Sequence, residues 1–164
     1  MSSFSDIQRL NEQGNVVPVF ERIPADLDTP VSAYMKLATG KQESFLLESV
    51  EGGEKVARYS FLGFDPFLVI DGEADRVTLR QGKQVRQIES NPLEFVREMF
   101  GFYRPVKVEG LPRFTGGAVG YFGYDTIRWR ERLPDTNPDP IGLPTMHLGL
   151  YRHLVVFDHS RQEI

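Results

Sequence analysis

Between Ser44 and Glu89 the sequence offers strand after strand, separated only by gaps of turn length. SFLLESV (44–50) is followed by the polar stretch EGGEK and then by VARYSFLGF (56–64). Asp65-Pro66 breaks the run before FLVID (67–71). RVTLRQGKQVRQIE (76–89) then alternates through Val77, Leu79 and Val85 about a turn at Gly82-Lys83. Neighbouring strands joined in parallel need a crossover of about a dozen residues or more, usually a helix, and none of these gaps holds one. The segment therefore reads as antiparallel hairpins.

Helices are expected only around this block. Ser5 and Asp6 can cap a short helix ending near Gly14, with Ile7 and Leu10 on one face. VVPVFERI (16–23) is apolar and β-branched, which suits a strand, and Pro18 confines it to an edge or bulge. Thr29-Pro30 reads as the N-cap and first-turn proline of a helix over 30–39, with Val31, Tyr34, Leu37 and Ala38 at helical spacing and Gly40 as its stop. Asn91-Pro92 with Glu94 opens another helix, continued by Leu93, Val96, Met99 and Phe100. RFTGGAVGYFGYD (113–125) is strand-like, IRWRER is a charged turn, and a proline-rich loop leads to TMHLGLYRHLVVFDH (145–159), the last long element and the best strand candidate. Strands in hairpins with a few helices, and no regular β–α alternation, predict an α+β fold: a mainly antiparallel sheet with a few flanking helices.

Composition narrows the function classes. At 164 residues a single domain is expected, and a core of this size needs no disulfide or metal staple. The absence of Cys excludes a disulfide framework, Cys-ligated zinc, an iron–sulfur cluster and a thiol nucleophile. With 19 Lys+Arg against 23 Asp+Glu the net charge is −4, and the basic residues are scattered, which argues against nucleic acid as a partner. No run approaches the ~18 apolar residues of a membrane span, and the start has no signal-peptide core, so a cytoplasmic protein is expected.

Several candidate sites fall on physical grounds. His147, His153 and His159 are evenly spaced, but six residues span roughly 20 Å along a strand, too far to share an ion. Gly117, Gly120 and Gly123 lack the order of a dinucleotide-binding turn and more simply permit close backbone approach. Tyr121, Phe122, Tyr124 and Trp129 read as core or interface. No nucleophile elbow is present, and Asp135 and Asp139 lie in a loop where they are solvated.

What remains is FLLESVEGGEKVARYSFLG. Glu48 and Ser49 interrupt an apolar strand, and Arg58, Tyr59 and Ser60 arrive just after a short turn, so a hairpin brings these polar groups near one another. Either they satisfy each other, as buried polar groups must, or they form a small polar pocket. In such a pocket Glu48 would meet an ammonium and Arg58 a carboxylate. The end of the chain carries a further expectation. After Leu154–Asp158 comes a turn, HSRQ, and then Glu-Ile, which predicts a hairpin whose return strand is cut short, the alternative being an end that frays into solvent.

LLES followed by ARYSFLGFDP, then FTGGAVGYFGYD and the final HLVVFDHSRQEI, closely resemble the N-terminal region of anthranilate synthase component I, a chorismate-utilising family. The resemblance runs from about Phe20 to Ile164. In looser form the same motifs occur in aminodeoxychorismate synthase component I. The resemblance implies a lyase of tryptophan biosynthesis that converts chorismate and ammonia, the latter from a glutamine amidotransferase partner (component II), to anthranilate and pyruvate. It also implies Mg²⁺ in the full-length enzyme and allosteric feedback inhibition by L-tryptophan. Carried over residue by residue, the tryptophan pocket would involve Ser49, then Glu48 and Leu47, and more weakly Arg58, Tyr59 and Ser60. A family chain is about three times longer, with its chorismate and Mg²⁺ residues in the C-terminal part. The expectation is thus one N-terminal regulatory and structural domain over 1–164, truncated before the chorismate-binding domain, with no cofactor and no catalytic site of its own. Its strands near Gly116–Gly123 and Leu148–Val156 would pack on the missing half, and if bare would favour self-association. The alternatives are the same domain of aminodeoxychorismate synthase component I, and a free-standing amino-acid-binding module.

Overall fold

The computed structural model of the chain describes residues 4–48, 58–134, 136 and 138–164. They form three α-helices, a short 3₁₀ helix and eight strands, an α+β arrangement in which every strand pairing whose register is resolved is antiparallel. Two compact units are present. One comprises the chain up to Pro66 with Tyr103–Gly117 and Tyr151–Ile164; the other comprises Phe67–Phe102 and Ala118–Leu150.

The first unit contains α1 (Phe4–Asn11), α2 (Pro30–Ala38) and a three-stranded sheet. Strands β1 (Ser44–Leu47), β2 (Tyr59–Phe64) and β8 (Leu154–Asp158) lie in the order β1-β2-β8. Ser5 and Asp6 fall inside the first turn of α1 rather than ahead of it. Helix α2 starts as its sequence dictates. The Thr29 hydroxyl accepts from the Ser32 N–H at 3.1 Å, the Ser32 hydroxyl accepts from the Thr29 N–H at 3.0 Å, and Pro30 needs no donor in the first turn. It stops before Gly40, whose φ of +79° suits glycine.

Its buried face keeps Tyr34 and Ala38 of the expected stripe but not Val31 and Leu37. Pro30, Ala33 and Ala38 are buried and Tyr34 is half-buried, while Val31 and Leu37 are 48% and 39% exposed. The helix contacts β1 and β2 through its small residues, which allow a close approach. Ala33, Leu62 and Phe157 form the core there, with Leu46, Val155 and Ile164 against it.

The strand expected over 16–23 does not form. Val16 makes an isolated bridge to Pro105, and Ile23 exchanges two backbone hydrogen bonds with Ile164 at 2.9 and 2.8 Å. Pro18 and Pro24 have no N–H to give to a ladder, and Val19 stays largely exposed, so β-branched composition alone does not recruit a partner. The expected ends of the first two strands at Ser49, Val50, Val56 and Ala57 lie outside the described residues, as does Asp135.

In the second unit, β3 (Leu68–Glu73), β4 (Arg76–Gln81), β5 (Gln84–Glu89), β6 (Gly117–Phe122) and β7 (Met146–Tyr151) make a sheet of order β5-β4-β3-β7-β6. Ile70, Val77, Met146, Leu148 and Leu150 are buried on one face, with Phe95, Val96 and Met99 of α3 (Pro92–Gly101) packed against them. Helix α3 is capped by Asn91, whose Oδ1 accepts from the N–H groups of Leu93 (3.0 Å) and Glu94 (3.3 Å).

Two further expectations are corrected. The long element over 145–159 is two strands: β7 and β8 belong to different sheets, and exposed Arg152 and His153 separate them. The IRWRER turn is partly helical. A 3₁₀ helix spans Tyr124–Trp129, with Arg128 Nε donating to Asp125 at 2.7 Å and Arg128 Nη1 to the carbonyls of Leu133 (3.1 Å) and Pro134 (2.7 Å).

Candidate ligand site on the β1–β2–β8 sheet

Pairing of Leu47 with Phe61 and Leu46 with Leu62 fixes the hairpin register, so β1 runs out towards the same end of the sheet at which β2 begins. Leu47 is 47% exposed, and Glu48 follows it, also exposed. Ser49, the residue singled out most strongly by the sequence, lies outside the described residues.

Past the turn, the polar side chains take their partners from β8. Arg58 donates from Nε to Asp158 Oδ1 at 2.9 Å and from Nη2 to Oδ2 at 2.7 Å, a two-pronged ion pair. Its guanidinium carbon lies 4.9 Å from the centre of the Tyr59 ring, which in turn lies 6.0 Å from the Phe61 ring. Ser60 is only 1% exposed, and its hydroxyl lies 2.7 Å from His159 Nε2. The backbone N–H of His159 donates to the Arg58 carbonyl at 2.9 Å, locking the end of β8 to the start of β2.

Asp158 is the centre of this arrangement. Besides Arg58 it accepts from the Ser160 N–H at 3.2 Å, and Arg161 Nε stands 3.9 Å from Oδ2. The hydrogen bond from Arg58 holds its carboxyl below the usual carboxylate range, with Arg58's charge and the Arg161 and Ser160 N–H groups adding to it and burial opposing. The same bond pushes the Arg58 guanidinium up.

Sequence reasoning placed Arg58, Tyr59 and Ser60 beside Glu48 but did not identify Asp158 and His159. A usable signal existed: a half-buried Arg and a buried Ser need partners, and Asp158-His159 is a polar pair ending an apolar strand.

A second polar cluster lies on the five-stranded sheet. Asp71 Oδ1 is 2.7 Å from His147 Nδ1, and Oδ2 is 3.2 Å from Arg80 Nη2. The Tyr121 ring stacks on His147 with centres 5.8 Å apart, and its hydroxyl donates to the Pro144 carbonyl at 3.1 Å. Burial, and then the Asp71 charge, pushes the Tyr121 phenol up. These residues with Leu143 line a cavity of about 290 Å³. His147 and His159 thus sit in different clusters. Among the described residues no three His, Cys, Asp or Glu side chains are grouped to hold a metal ion. Nor, among those residues, is any helix long and apolar enough to cross a membrane.

Gly120 serves close backbone approach: a Cβ there would overlap the His147 carbonyl oxygen and lie 2.9 Å from Leu148 Cα. Leu148 and Leu150 of the neighbouring β7 are buried, while Tyr121 and Phe122 of β6 are 40% and 50% exposed.

The architecture is an α+β region of antiparallel sheets, shared with a biosynthetic enzyme of known structure. The crystal structure of anthranilate synthase component I from Streptococcus pneumoniae matches 88% of this chain and 30% of its own, with a TM-score of 0.52 and 36% identity. Curated relatives agree. Anthranilate synthase component 1 of Acetivibrio thermocellus is 41% identical over 99% of this chain and 33% of its own length. That of Synechocystis is 42% identical over 98% and 32%. No family model matches the chain. Over essentially its whole length the chain is homologous to the N-terminal region of anthranilate synthase component I, and it spans about a third of the length of the curated relatives it matches.

Proposed function

We propose that this chain is the regulatory N-terminal region of an anthranilate synthase, carrying the site at which L-tryptophan, the pathway's end product, inhibits. The observation that carries the reading is the roughly 40% identity, over the whole chain, to proteins named anthranilate synthase component 1. The full enzyme would convert chorismate and glutamine-derived ammonia to anthranilate and pyruvate, with component II as the amidotransferase. Chorismate and Mg²⁺ would be held by parts of the enzyme beyond these residues. A cytoplasmic setting and docking of this region against the rest of the enzyme belong to the same reading.

The tryptophan site would lie at the β1–β2 hairpin. Leu47, Glu48 and Ser49 would supply one wall, with Glu48 meeting the ammonium. Arg58 would meet the carboxylate, and Tyr59 would stand beside it. Ser60 would support the site from below through its buried hydroxyl. Inhibition follows if tryptophan binds a less active arrangement of the enzyme better than the active one, and linkage then makes chorismate and tryptophan weaken each other's binding. The test is Ser49→Phe in the full-length enzyme. The tryptophan concentration needed for half-inhibition should rise at least tenfold, and unchanged sensitivity would refute the site.

A further inference from the structure

We infer that Asp158, on β8, is the positioning residue of this ligand site, holding the Arg58 guanidinium so that its Nη1 edge is presented to a ligand carboxylate. The inference rests on the tryptophan-site reading above and adds to it a residue from a strand remote in sequence.

Geometry carries the argument. A guanidinium offers five N–H donors in a rigid plane, and a carboxylate can engage it along either of two edges. Asp158 occupies the Nε–Nη2 edge, at 2.9 and 2.7 Å. Nη1 takes no part in that pair, so a second carboxylate can be met without displacing the first. The pair also removes the rotational freedom of a long side chain, a cost the ligand would otherwise bear on binding.

Asp158 itself is held from several directions. The Ser160 N–H donates to its side chain, and its backbone N–H and C=O are both engaged by Glu163, at 2.8 and 3.3 Å. Behind Arg58, the Tyr59 ring fixes the guanidinium plane from one face. The orientation of Arg58 is therefore set by Asp158 of β8 and by the ring of Tyr59.

The test compares two ligands, L-tryptophan and L-tryptophanamide, titrated calorimetrically into the full-length component I that carries this region. The amide keeps the indole and the ammonium but lacks the carboxylate. Unaltered protein should prefer tryptophan by about tenfold or more, as expected for a charge-assisted two-pronged contact. In Asp158→Asn that preference should shrink to about twofold, with little change in affinity for the amide, and Asp158→Glu should restore much of it. Arg58→Lys, which keeps the charge but loses the planar fork, should shrink the preference in the same way and serves if the Asn variant does not fold.

A variant that weakens both ligands equally shows that Asp158 only holds up the fold, and the inference fails. An unchanged preference in both Asp158→Asn and Arg58→Lys also overturns it. If Ser49→Phe abolishes tryptophan binding in those circumstances, the site reading still stands. If the unaltered enzyme binds no tryptophan saturably, the reading and the inference fall together.

Discussion

Replacing Gly120 by alanine tests the packing of β6 on β7 with a single methyl group. The added Cβ would overlap the carbonyl oxygen of His147 and stand 2.8 Å from its carbonyl carbon and 2.9 Å from Leu148 Cα. Ordinary carbon–carbon contact lies at about 3.5–4.0 Å, so the two strands must part by roughly an ångström. All three atoms are backbone, so no side-chain rotation relieves the clash. The Gly123 N–H bond to Thr145, now 2.8 Å, would be stretched as the strands separate. Overpacking of this kind costs about 1–3 kcal/mol, and here the upper end is expected because the obstacle is main chain. For a chain of this size that corresponds to a fall in Tm of about 6–12 °C. Differential scanning calorimetry should read it, with Gly101→Ala as the control. At Gly101, in the last turn of α3, an added Cβ meets nothing within 4 Å. The control should hold or slightly raise Tm, by the better helix propensity of alanine. A Gly120→Ala protein that melts within about a degree of the parent would refute the close-approach argument.

Three other outcomes follow from the same structure. Asn91→Ala removes the cap of two N–H groups at the start of α3 and should cost about 1 kcal/mol in urea unfolding; no measurable loss would show that water caps the helix equally well. Leu62→Ala, in the core with Ala33 and Phe157, should cost about 2–5 kcal/mol by the same assay. Burial, followed by the charge of Glu43 and then Tyr34, pushes the Tyr151 phenol up to about 12, against about 10 in an unfolded chain. Between those values the unfolded chain has lost a proton that the folded one keeps, so stability falls as pH rises from about 10 towards 12. Tyr151→Phe should flatten that decline, and an identical slope in parent and variant would contradict it.

The elements legible in the sequence are those whose signals are local. The turn at Gly82-Lys83, the Thr29-Pro30 start with its Gly40 stop, and the Asn91-Pro92 start each involve residues a few positions apart, and each stands where it was read. Position 16–23 failed because a strand needs a neighbour with free donors and acceptors, which composition does not supply. The run 145–159 looked continuous because both its strands are apolar, whereas the sheets that claim them differ. On α2 helical spacing picks out Tyr34 and Ala38 correctly but misses Ala33, whose small side chain sits in the core, and takes in Val31 and Leu37, which stay exposed. At the candidate site, Arg58 and Ser60 were visible, while their partners were not. Asp158 and His159 lie 100 and 99 residues away, and a pairing at that distance leaves no periodicity to read.

That separation also orders events while the protein is being made. Closing a loop of this length costs about 2 kcal/mol more than closing a hairpin such as β4–β5, because the cost grows with the logarithm of length. At 5–20 residues per second, about 5–20 s pass between synthesis of β2 and that of β8. Through that interval β2 pairs with β1 on one side only, and its other edge presents unsatisfied N–H and C=O groups. The strand that completes the site is thus also the one that covers the free edge of β2, and a ribosome stalled before Leu154 would leave that edge as an open template for pairing with a neighbouring chain.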